Sequence, residues 1–145
     1  MMKHDDPRVQ RVIDAFERLT PAGLPRLDAL YAPGARFKDP FNEVTGVSAI
    51  SAVFAHMFEA LDAPRFVIRD AIAQGDQCFL TWDFRFRMKR FDRAEQCIHG
   101  GSHLRFAADG CIELHRDYWD AAEELYEKLP AIGALMRWLK RRARG

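Results

Sequence analysis

Apolar residues in the first part of the chain recur at intervals of three and four, which is the spacing of an amphipathic α-helix. The pattern predicts helices over 9–19, 24–31 and 47–61, with proline and glycine residues in the breaks between them. The third helix has the broadest apolar face, formed by Val47, Ile50, Val53, Phe54, Met57, Phe58 and Leu61. We therefore expect these helices to pack against a common core.

The period changes to two after Pro64, which is typical of β-strands. Alternation predicts strands over 66–73, 79–88, 97–106 and 111–119, separated by polar or glycine-containing turns. In the second of these strands one face carries Leu80, Trp82, Phe84 and Phe86, and the other carries Thr81, Asp83, Arg85 and Arg87. Helical spacing returns over 120–142.

This order of elements predicts an α+β fold, because helices and strands occupy separate parts of the chain. Long strands with one aromatic face favour a cone-shaped, curved antiparallel sheet that wraps over the N-terminal helices and encloses an internal pocket. No repeat or low-complexity segment divides the sequence. We therefore expect a single domain over 1–145, in which 121–145 form a C-terminal helix and a basic tail.

Composition narrows the classes of function. The chain has 145 residues, of which 48% are hydrophobic and 30% charged, and its formal net charge is +1. This balance gives no electrostatic reason to expect a nucleic-acid partner, and no apolar run reaches the roughly 18 residues of a membrane span. Cys78, Cys97 and Cys111 form no CxxC pair and no His/Cys ligand spacing. We therefore expect a cytoplasmic protein with reduced cysteines and without a metal or cofactor.

The basic tail over 137–144 contains five cations and Trp138. It is typical either of contact with an anionic membrane surface or nucleic acid, or of favourable charge at a helix C-terminus. The near-neutral net charge favours the second interpretation.

A candidate proton acceptor stands at the end of a predicted strand over 35–38. Pro40 ends that strand, because proline has no backbone N–H and favours an extended conformation in Asp39 before it. Between Phe37 and Phe41, the Asp39 carboxylate would lie in a partly dry site and could accept a proton. The alternative is that Asp39 only opens a turn, as Asp-Pro commonly does.

Two segments resemble a known superfamily. The first is Ala35-Arg36-Phe37-Lys38-Asp39-Pro40-Phe41, followed by Gly46 and a helix, and the second runs from Leu104-Arg105-Phe106 through Asp109-Gly110 to Tyr118-Trp119. With the order of elements, they resemble the nuclear transport factor 2-like superfamily, in its ketosteroid isomerase and polyketide cyclase (SnoaL-like) branch. The resemblance implies the fold and leaves the activity open, since this fold hosts many chemistries and many binding domains.

The resemblance also implies roles for single positions. Asp39 falls on the general base of the isomerases. Phe16 falls on their oxyanion-hole tyrosine and has no hydroxyl, while Ser102 falls on the oxyanion-hole acid and is a weaker donor. Because such donors often supply the largest catalytic term, their loss argues against steroid isomerisation.

A second acid enters through the same resemblance. If the register holds, Trp82, Phe84 and Phe86 point into the pocket together with His115, Asp117 and Trp119, because alternate residues of a strand share a face. Polyketide cyclases resemble this arrangement, with an acid/base aspartate on a late strand and a nearby histidine. The alternatives for Asp117 are a salt bridge with Arg36, Arg105 or Arg116, or a slip of one residue that turns it outward.

These observations predict two groups of site residues. The predicted catalytic residues are Asp39, Asp117, His103 and His115. The predicted substrate-binding residues are Phe16, Val53, Phe54, Met57, Trp82, Phe84, Phe86, Ser102 and Trp119.

Two functions stay open on the sequence alone. One is a cofactor-free acid/base catalyst of the isomerase, cyclase or hydrolase type, acting on a small, largely apolar substrate with a carbonyl, hydroxyl or epoxide group. The other is a non-catalytic ligand-binding or dimerisation module of the same fold. The resemblance implies a homodimer, which the polar outer face of the strand over 79–88 would suit.

Overall fold

The computed structural model describes residues 2–90, 93–124, 138–139 and 141–144. The elements in chain order are α1 (Pro7–Glu17), a 3₁₀-helix (Pro21–Ala29), β1 (Tyr31–Lys38), β2 (Glu43–Thr45), α2 (Val47–Ala60), β3 (Leu61–Gln74), β4 (Gln77–Met88), β5 (Glu95–Phe106), β6 (Ile112–Tyr118) and α3 (Ala121–Glu124). Helices and strands are segregated along the chain, so the predicted α+β class is confirmed.

The predicted second helix differs most from the sequence-based expectation. It is a 3₁₀-helix that contains Pro25, which has no N–H to donate within a helix. Tyr31, expected at its end, is instead the first residue of β1. The strand thus begins four residues earlier than predicted, and it ends at Lys38 as expected.

The six strands form one curved, unclosed sheet in the order β2-β1-β6-β5-β4-β3. Neighbouring strands are antiparallel except β1 and β6, which run parallel. The sheet is therefore mixed rather than antiparallel throughout. A parallel neighbour needs a long crossover in sequence, and α2 together with β3, β4 and β5 supplies it here.

Two irregularities interrupt the long pairing of β3 with β4. Register shifts occur between Asp62 and Arg65 and between Ile68 and Asp70, and Ala63 has a positive φ of 49°. The segment around Ala63, expected only to separate a helix from a strand, is therefore part of β3. Extra residues of this kind bend a strand and increase its twist, which favours a curved sheet.

The helices cover the concave face of the sheet. In α1 the buried residues are Val9, Val12, Ile13 and Phe16, and in α2 they are Ile50 and Phe54. α1 packs against β3, and α2 packs against β1 and β3. The core thus lies between one helical layer and one sheet, and the strand residues that face the helices become the walls of any internal space.

The predicted C-terminal helix is described only in part. Ala121–Glu124 form α3, residues 138–139 and 141–144 are helical, and the guanidinium of Arg142 lies 5.4 Å from the Trp138 ring centroid. The rest of the predicted helix and basic tail lies outside the described residues. Within the described part of the chain, no helix is long and apolar enough to cross a membrane.

Candidate functional site

A cavity of about 350 Å³ lies between α2 and the concave side of the sheet. Small-molecule sites in proteins commonly measure about 300–1,000 Å³, so this space can hold a compact organic ligand. Of the predicted site residues, its walls include Asp39, Val53, Phe54, Met57, Phe84, Phe86, Asp117 and Trp119. The walls also include Asn42, His56, Phe66 and Met88, which were not among the site residues predicted from the sequence.

The Asp117 carboxylate is held from one side only. Its Oδ1 accepts hydrogen bonds from Ser102 Oγ at 2.5 Å and from His115 Nε2 at 2.6 Å. Among the described residues, every hydrogen bond of this carboxylate goes to Oδ1, while the side chain keeps 14% exposure and lines the cavity. Among the residues that the structure describes, the second oxygen therefore has no hydrogen-bond partner.

Two further side chains complete what we call the Asp117 network (Tyr31, Trp82, Ser102, His115 and Asp117). Trp82 Nε1 donates to Ser102 Oγ at 2.9 Å, and the Tyr31 hydroxyl lies 2.6 Å from His115 Nδ1. Since the carboxylate only accepts, Nε2 of His115 carries a proton, and in the neutral imidazole Nδ1 then accepts from Tyr31. The network therefore orders a chain of donors that converges on one carboxylate oxygen.

Tyr31 is 1% exposed and His115 is 2% exposed. Burial, and then the negative charge of Asp117, raise the pKa of Tyr31 well above its usual value, so the hydroxyl keeps its proton. Tyr31 was absent from the predicted site, because its sequence position suggested the end of an apolar helix. No local signal could have found it, since it meets His115 only through the pairing of β1 with β6.

Strand pairing explains why these residues meet. The parallel register of β1 and β6 places Phe37 beside His115, and the antiparallel register of β5 and β6 places Ser102 opposite Asp117. Trp82 pairs with Gly100, where an added Cβ would come within 2.5 Å of the indole ring. Glycine at this position lets the ring lie against the strand and reach Ser102.

Among the described residues, Asp117 forms no salt bridge with an arginine. The alternative pairings with Arg36, Arg105 and Arg116 are therefore not found among these residues, and the carboxylate is instead hydrogen-bonded by Ser102 and His115.

Three predicted wall residues lie behind the main cavity. Phe16, Trp82 and Ser102 line a separate void of about 10 Å³, together with His115 and Asp117. This volume is at the limit for a single water molecule. The three side chains thus support the Asp117 network, and the aromatic surface open to a larger ligand comes from other residues.

The Asp39 side chain has both of the properties weighed from the sequence. Its Oδ1 accepts from the backbone N–H groups of Phe41 at 2.8 Å and Asn42 at 2.6 Å, and the Asn42 side-chain amide lies 3.1 Å from each carboxylate oxygen. It therefore closes a turn between β1 and β2. It also lines the cavity, next to Trp119 and Phe41, whose rings pack edge to face at 5.5 Å.

His103 does not belong to this site. It occupies the outer face of β5, where its Nε2 lies 2.8 Å from Gln77 Oε1. Side chains alternate along a strand, so the inward position of Ser102 turns the next residue outward. The structure therefore places His103 outside the cavity, apart from the other three residues predicted to be catalytic.

The outer face of the sheet holds a second buried acid. Asp83 Oδ1 accepts from His99 Nδ1 at 2.7 Å, its Oδ2 accepts two hydrogen bonds from Arg69, and Arg85 lies 3.8 Å away. Potential ligand atoms of Asp83, Cys97 and His99 lie within 4.8 Å of one another. The two guanidinium groups oppose a further cation there, so we assign no metal to this cluster.

Comparison with known proteins places the chain in a family. A family model described as the SnoaL-like domain matches residues 9–115. The chain belongs to this SnoaL-like family. The match runs from α1 into β6, and so includes most of the cavity wall and His115. Among curated proteins, no sequence match was found.

Solved structures of this SnoaL-like fold agree with the family match. A ketosteroid isomerase-like protein from Catenulispora acidiphila, in complex with trimethylamine, is 20% identical with a TM-score of 0.73, over 88% of this chain and 97% of that one. A Jannaschia protein named for its likeness to SnoaL polyketide cyclases is 17% identical with a TM-score of 0.71, over 84% and 94%. An LEH-like epoxide hydrolase from M. tuberculosis is 15% identical with a TM-score of 0.63, over 81% of this chain and 83% of that one. At these identities the likeness shows the fold.

Proposed function

We propose that this SnoaL-like domain binds a small, largely apolar molecule in the 350 Å³ cavity and that Asp117 moves a proton to or from it without a cofactor. One observation carries the proposal. Of the two acids in the described cavity wall, Asp117 is the one that combines a fixed oxygen, held by Ser102 and His115, with an oxygen that has no other partner among the described residues. A positioned carboxylate at an apolar wall is suited to general acid/base catalysis.

The roles of the neighbouring groups follow from their contacts. His115 and Ser102 are positioning residues, because they hold Oδ1 and leave Oδ2 to meet the substrate. The aromatic walls exclude water from the reacting atoms and bury the body of the ligand. Asp39 is a weaker candidate for the same step, since its Oδ1 already accepts two backbone hydrogen bonds.

The similar structures support this class of chemistry. One is named for SnoaL polyketide cyclases and another as an LEH-like epoxide hydrolase. A substrate with a carbonyl, hydroxyl or epoxide group is compatible with the same carboxylate. Steroid isomerisation is disfavoured, because Phe16 supplies no hydroxyl to an oxyanion and Ser102 Oγ already donates to Asp117.

The proposal can be tested with an activated substrate that needs only a base. In 5-nitrobenzisoxazole, a carboxylate removes the proton on the ring carbon next to nitrogen, the N–O bond breaks, and a nitrile and a coloured phenolate form. The proton passes from Asp117 to solvent and no other reactant is needed. We expect the protein to exceed an equal concentration of acetate by at least about 10²-fold.

Matched variants assign the activity. Asp117→Asn keeps the size and the acceptor oxygen of the side chain but cannot take the proton, so we expect the activity to approach that of acetate. Asp39→Asn should retain most of it, and Asp70→Asn, an exposed acid outside the cavity, all of it. Activity that survives in Asp117→Asn would show that this residue is not the base.

A second candidate function is a ligand-binding module without chemistry. It is favoured by the absence of an oxyanion donor at Phe16. This candidate predicts that the protein binds apolar probes in the cavity, is no faster than acetate, and responds equally to Asp117→Asn and Asp70→Asn.

We also propose that the chain forms a homodimer through the outer face of the sheet. The predicted polar surface is a poor interface, because Asp83 is buried beneath its own partners. Ile72 and Phe79, however, pair across β3 and β4 and are 68% and 39% exposed. Size-exclusion chromatography should give a dimer that Phe79→Ser weakens, and a wild-type monomer would contradict the proposal.

A further inference from the structure

We infer that the ligand of this cavity is an organic cation, an ammonium group on an apolar body. The inference rests on the proposed function in that it uses the same cavity, and it adds the charge of the ligand. Three features carry it, namely the charges in the walls, the aromatic surface and the position of the nearest basic side chains.

The ionisable groups of the wall favour positive charge. Asp39 and Asp117 both line the cavity, and among the described residues no lysine or arginine does. The other polar side chains of the wall are Asn42 and His56. An anionic ligand would therefore meet two carboxylates and no fixed cation, which is unfavourable in a partly desolvated space.

The aromatic surface of the cavity also favours a cationic ligand. Of the described residues that line the cavity, seven are aromatic: Phe37, Phe41, Phe54, Phe66, Phe84, Phe86 and Trp119. Phe66 and Phe84 stack with centroids 4.7 Å apart, and Trp119 lies edge to face with Phe41 beside Asp39. Aromatic faces attract cations through the ring quadrupole, most strongly when water is excluded.

The basic side chains nearest in sequence to the two acids are not among the described residues that line the cavity. Lys38 and Arg116 line a neighbouring depression that shares Asp39, Asp117 and Trp119 with the cavity wall. There Lys38 is 3.7 Å from Glu43, and the Arg116 guanidinium lies 4.8 Å from the Tyr118 ring centroid. They precede Asp39 and Asp117 by one residue, so strand alternation turns them away from the cavity. Their charges therefore weaken the preference for a cation without removing it.

The two acids have different tasks in this arrangement. Asp39, whose Oδ1 is occupied by the turn, supplies fixed negative charge beside Trp119 and Phe41. Asp117 remains available for proton transfer deeper in the wall. The net charge of the whole chain is +1, so long-range attraction does not favour cations and any preference must arise locally.

A matched pair of probes isolates the charge. Choline and 3,3-dimethylbutan-1-ol have the same shape, and differ in a quaternary nitrogen where the alcohol has a quaternary carbon. We measure both dissociation constants by NMR titration, following cavity residues such as Trp119. We expect choline to bind at least about tenfold more tightly, as cation–π and ionic attraction in a desolvated site predict.

Variants locate the effect. Asp39→Asn should weaken choline binding by about fivefold or more and leave the neutral alcohol within twofold. Asp5→Asn, which removes an exposed acid outside the cavity, should change neither constant. An equal effect of Asp39→Asn and Asp5→Asn on choline would overturn the local origin of the preference.

The outcomes separate this inference from the proposed function. Equal affinities, or tighter binding of the alcohol, overturn the cation inference while leaving an apolar binding site and its base intact. If neither probe shifts cavity resonances but 5-nitrobenzisoxazole still reacts through Asp117, the cation inference also fails alone. Failure of both assays removes the proposed function with it.

Discussion

The two faces of this sheet each hold an aspartate beside a histidine, with opposite consequences. On the concave face, Asp117 keeps 14% side-chain exposure and contacts His115. On the outer face, Asp83 keeps 8% and contacts His99. Asp83 also receives Arg69, so both of its oxygens are engaged, whereas the described partners of Asp117 all reach a single oxygen.

This difference identifies Asp83 as the acid that stabilises the fold. Burial alone would raise the pKa of the Asp83 carboxyl, but hydrogen bonds from Arg69 and His99 bring its pKa below the usual value. Such a charge stabilises the fold and is unavailable for proton transfer. Within the described part of the chain Asp117 has no arginine partner, and a largely buried charge without one is expensive, which agrees with the proposed role of this acid toward a ligand.

The assignment of Asp117 to activity and of Asp83 to stability is tested most directly by neutralising each acid in turn and measuring activity. Asp117→Asn should lower the rate with 5-nitrobenzisoxazole by about 10²-fold. Asp83→Asn should leave it within about twofold, because that side chain lies on the opposite face. Equal losses would mean that the two faces are not functionally distinct.

The free energy of unfolding should fall more in Asp83→Asn than in Asp117→Asn, the reverse of the order expected for activity. Asp83→Asn leaves the Arg69 charge without its partner and should lower the free energy of unfolding by about 1–3 kcal/mol in urea titrations. Asp117→Asn should cost less than about 1 kcal/mol, because it removes a buried charge while keeping an acceptor.

Low pH should remove the contribution of Asp83 to stability. The folded-state pKa of Asp83 is lowered, so its contribution is present above the unfolded pKa near 3.8 and is lost as the pH falls through the folded value. The gap in unfolding free energy between wild type and Asp83→Asn should thus be constant at neutral pH and close in acid. A gap that widens in acid would contradict this assignment.

Two adjacent glycines test the faces at the level of packing. A Cβ at Gly100 would meet the buried Trp82 ring at 2.5 Å, and one at Gly101 would meet Phe79 at 2.7 Å. Gly100→Ala should cost about 1–3 kcal/mol and alter tryptophan fluorescence, since Trp82 has little room to move. Gly101→Ala should cost less than Gly100→Ala, because the half-exposed Phe79 ring can turn outward and only the 3.0 Å approach to the Leu80 carbonyl oxygen then remains. It should leave the activity unchanged.

Within the Asp117 network, a smaller loss of activity is expected at Tyr31 than at Asp117. Tyr31→Phe removes the donor to His115 Nδ1 and should lower activity by about three- to tenfold while costing about 1–2 kcal/mol. Because the pKa of Tyr31 is raised, its contribution to stability is present below the unfolded value of 10.0 and declines at higher pH. In absorbance titrations near that pH, wild type and Tyr31→Phe should show the same phenolate signal.

Local pattern was enough to predict much of this protein. Alternation in one strand showed that Trp82, Phe84 and Phe86 share a face, and Pro40 predicted where β1 stops. The order of helices and strands predicted the α+β class, and two short segments pointed to the superfamily. These inferences succeed because periodicity and proline chemistry act within a few residues.

Contacts between residues that are distant in sequence became apparent only in the tertiary structure. Tyr31 contacts His115 because β1 pairs in parallel with β6, which is far away in sequence. A side chain at position 100 would collide with the Trp82 ring, which lies over Gly100. The register of β5 turns His103 to the outer face of the sheet. Strand pairing also brings Asp117 to the cavity with one oxygen held and gives Asp83 its arginines. Hydrogen bonds and desolvation depend on the distances between residues of different strands. Local sequence pattern does not give those distances, because they are set only when the chain folds.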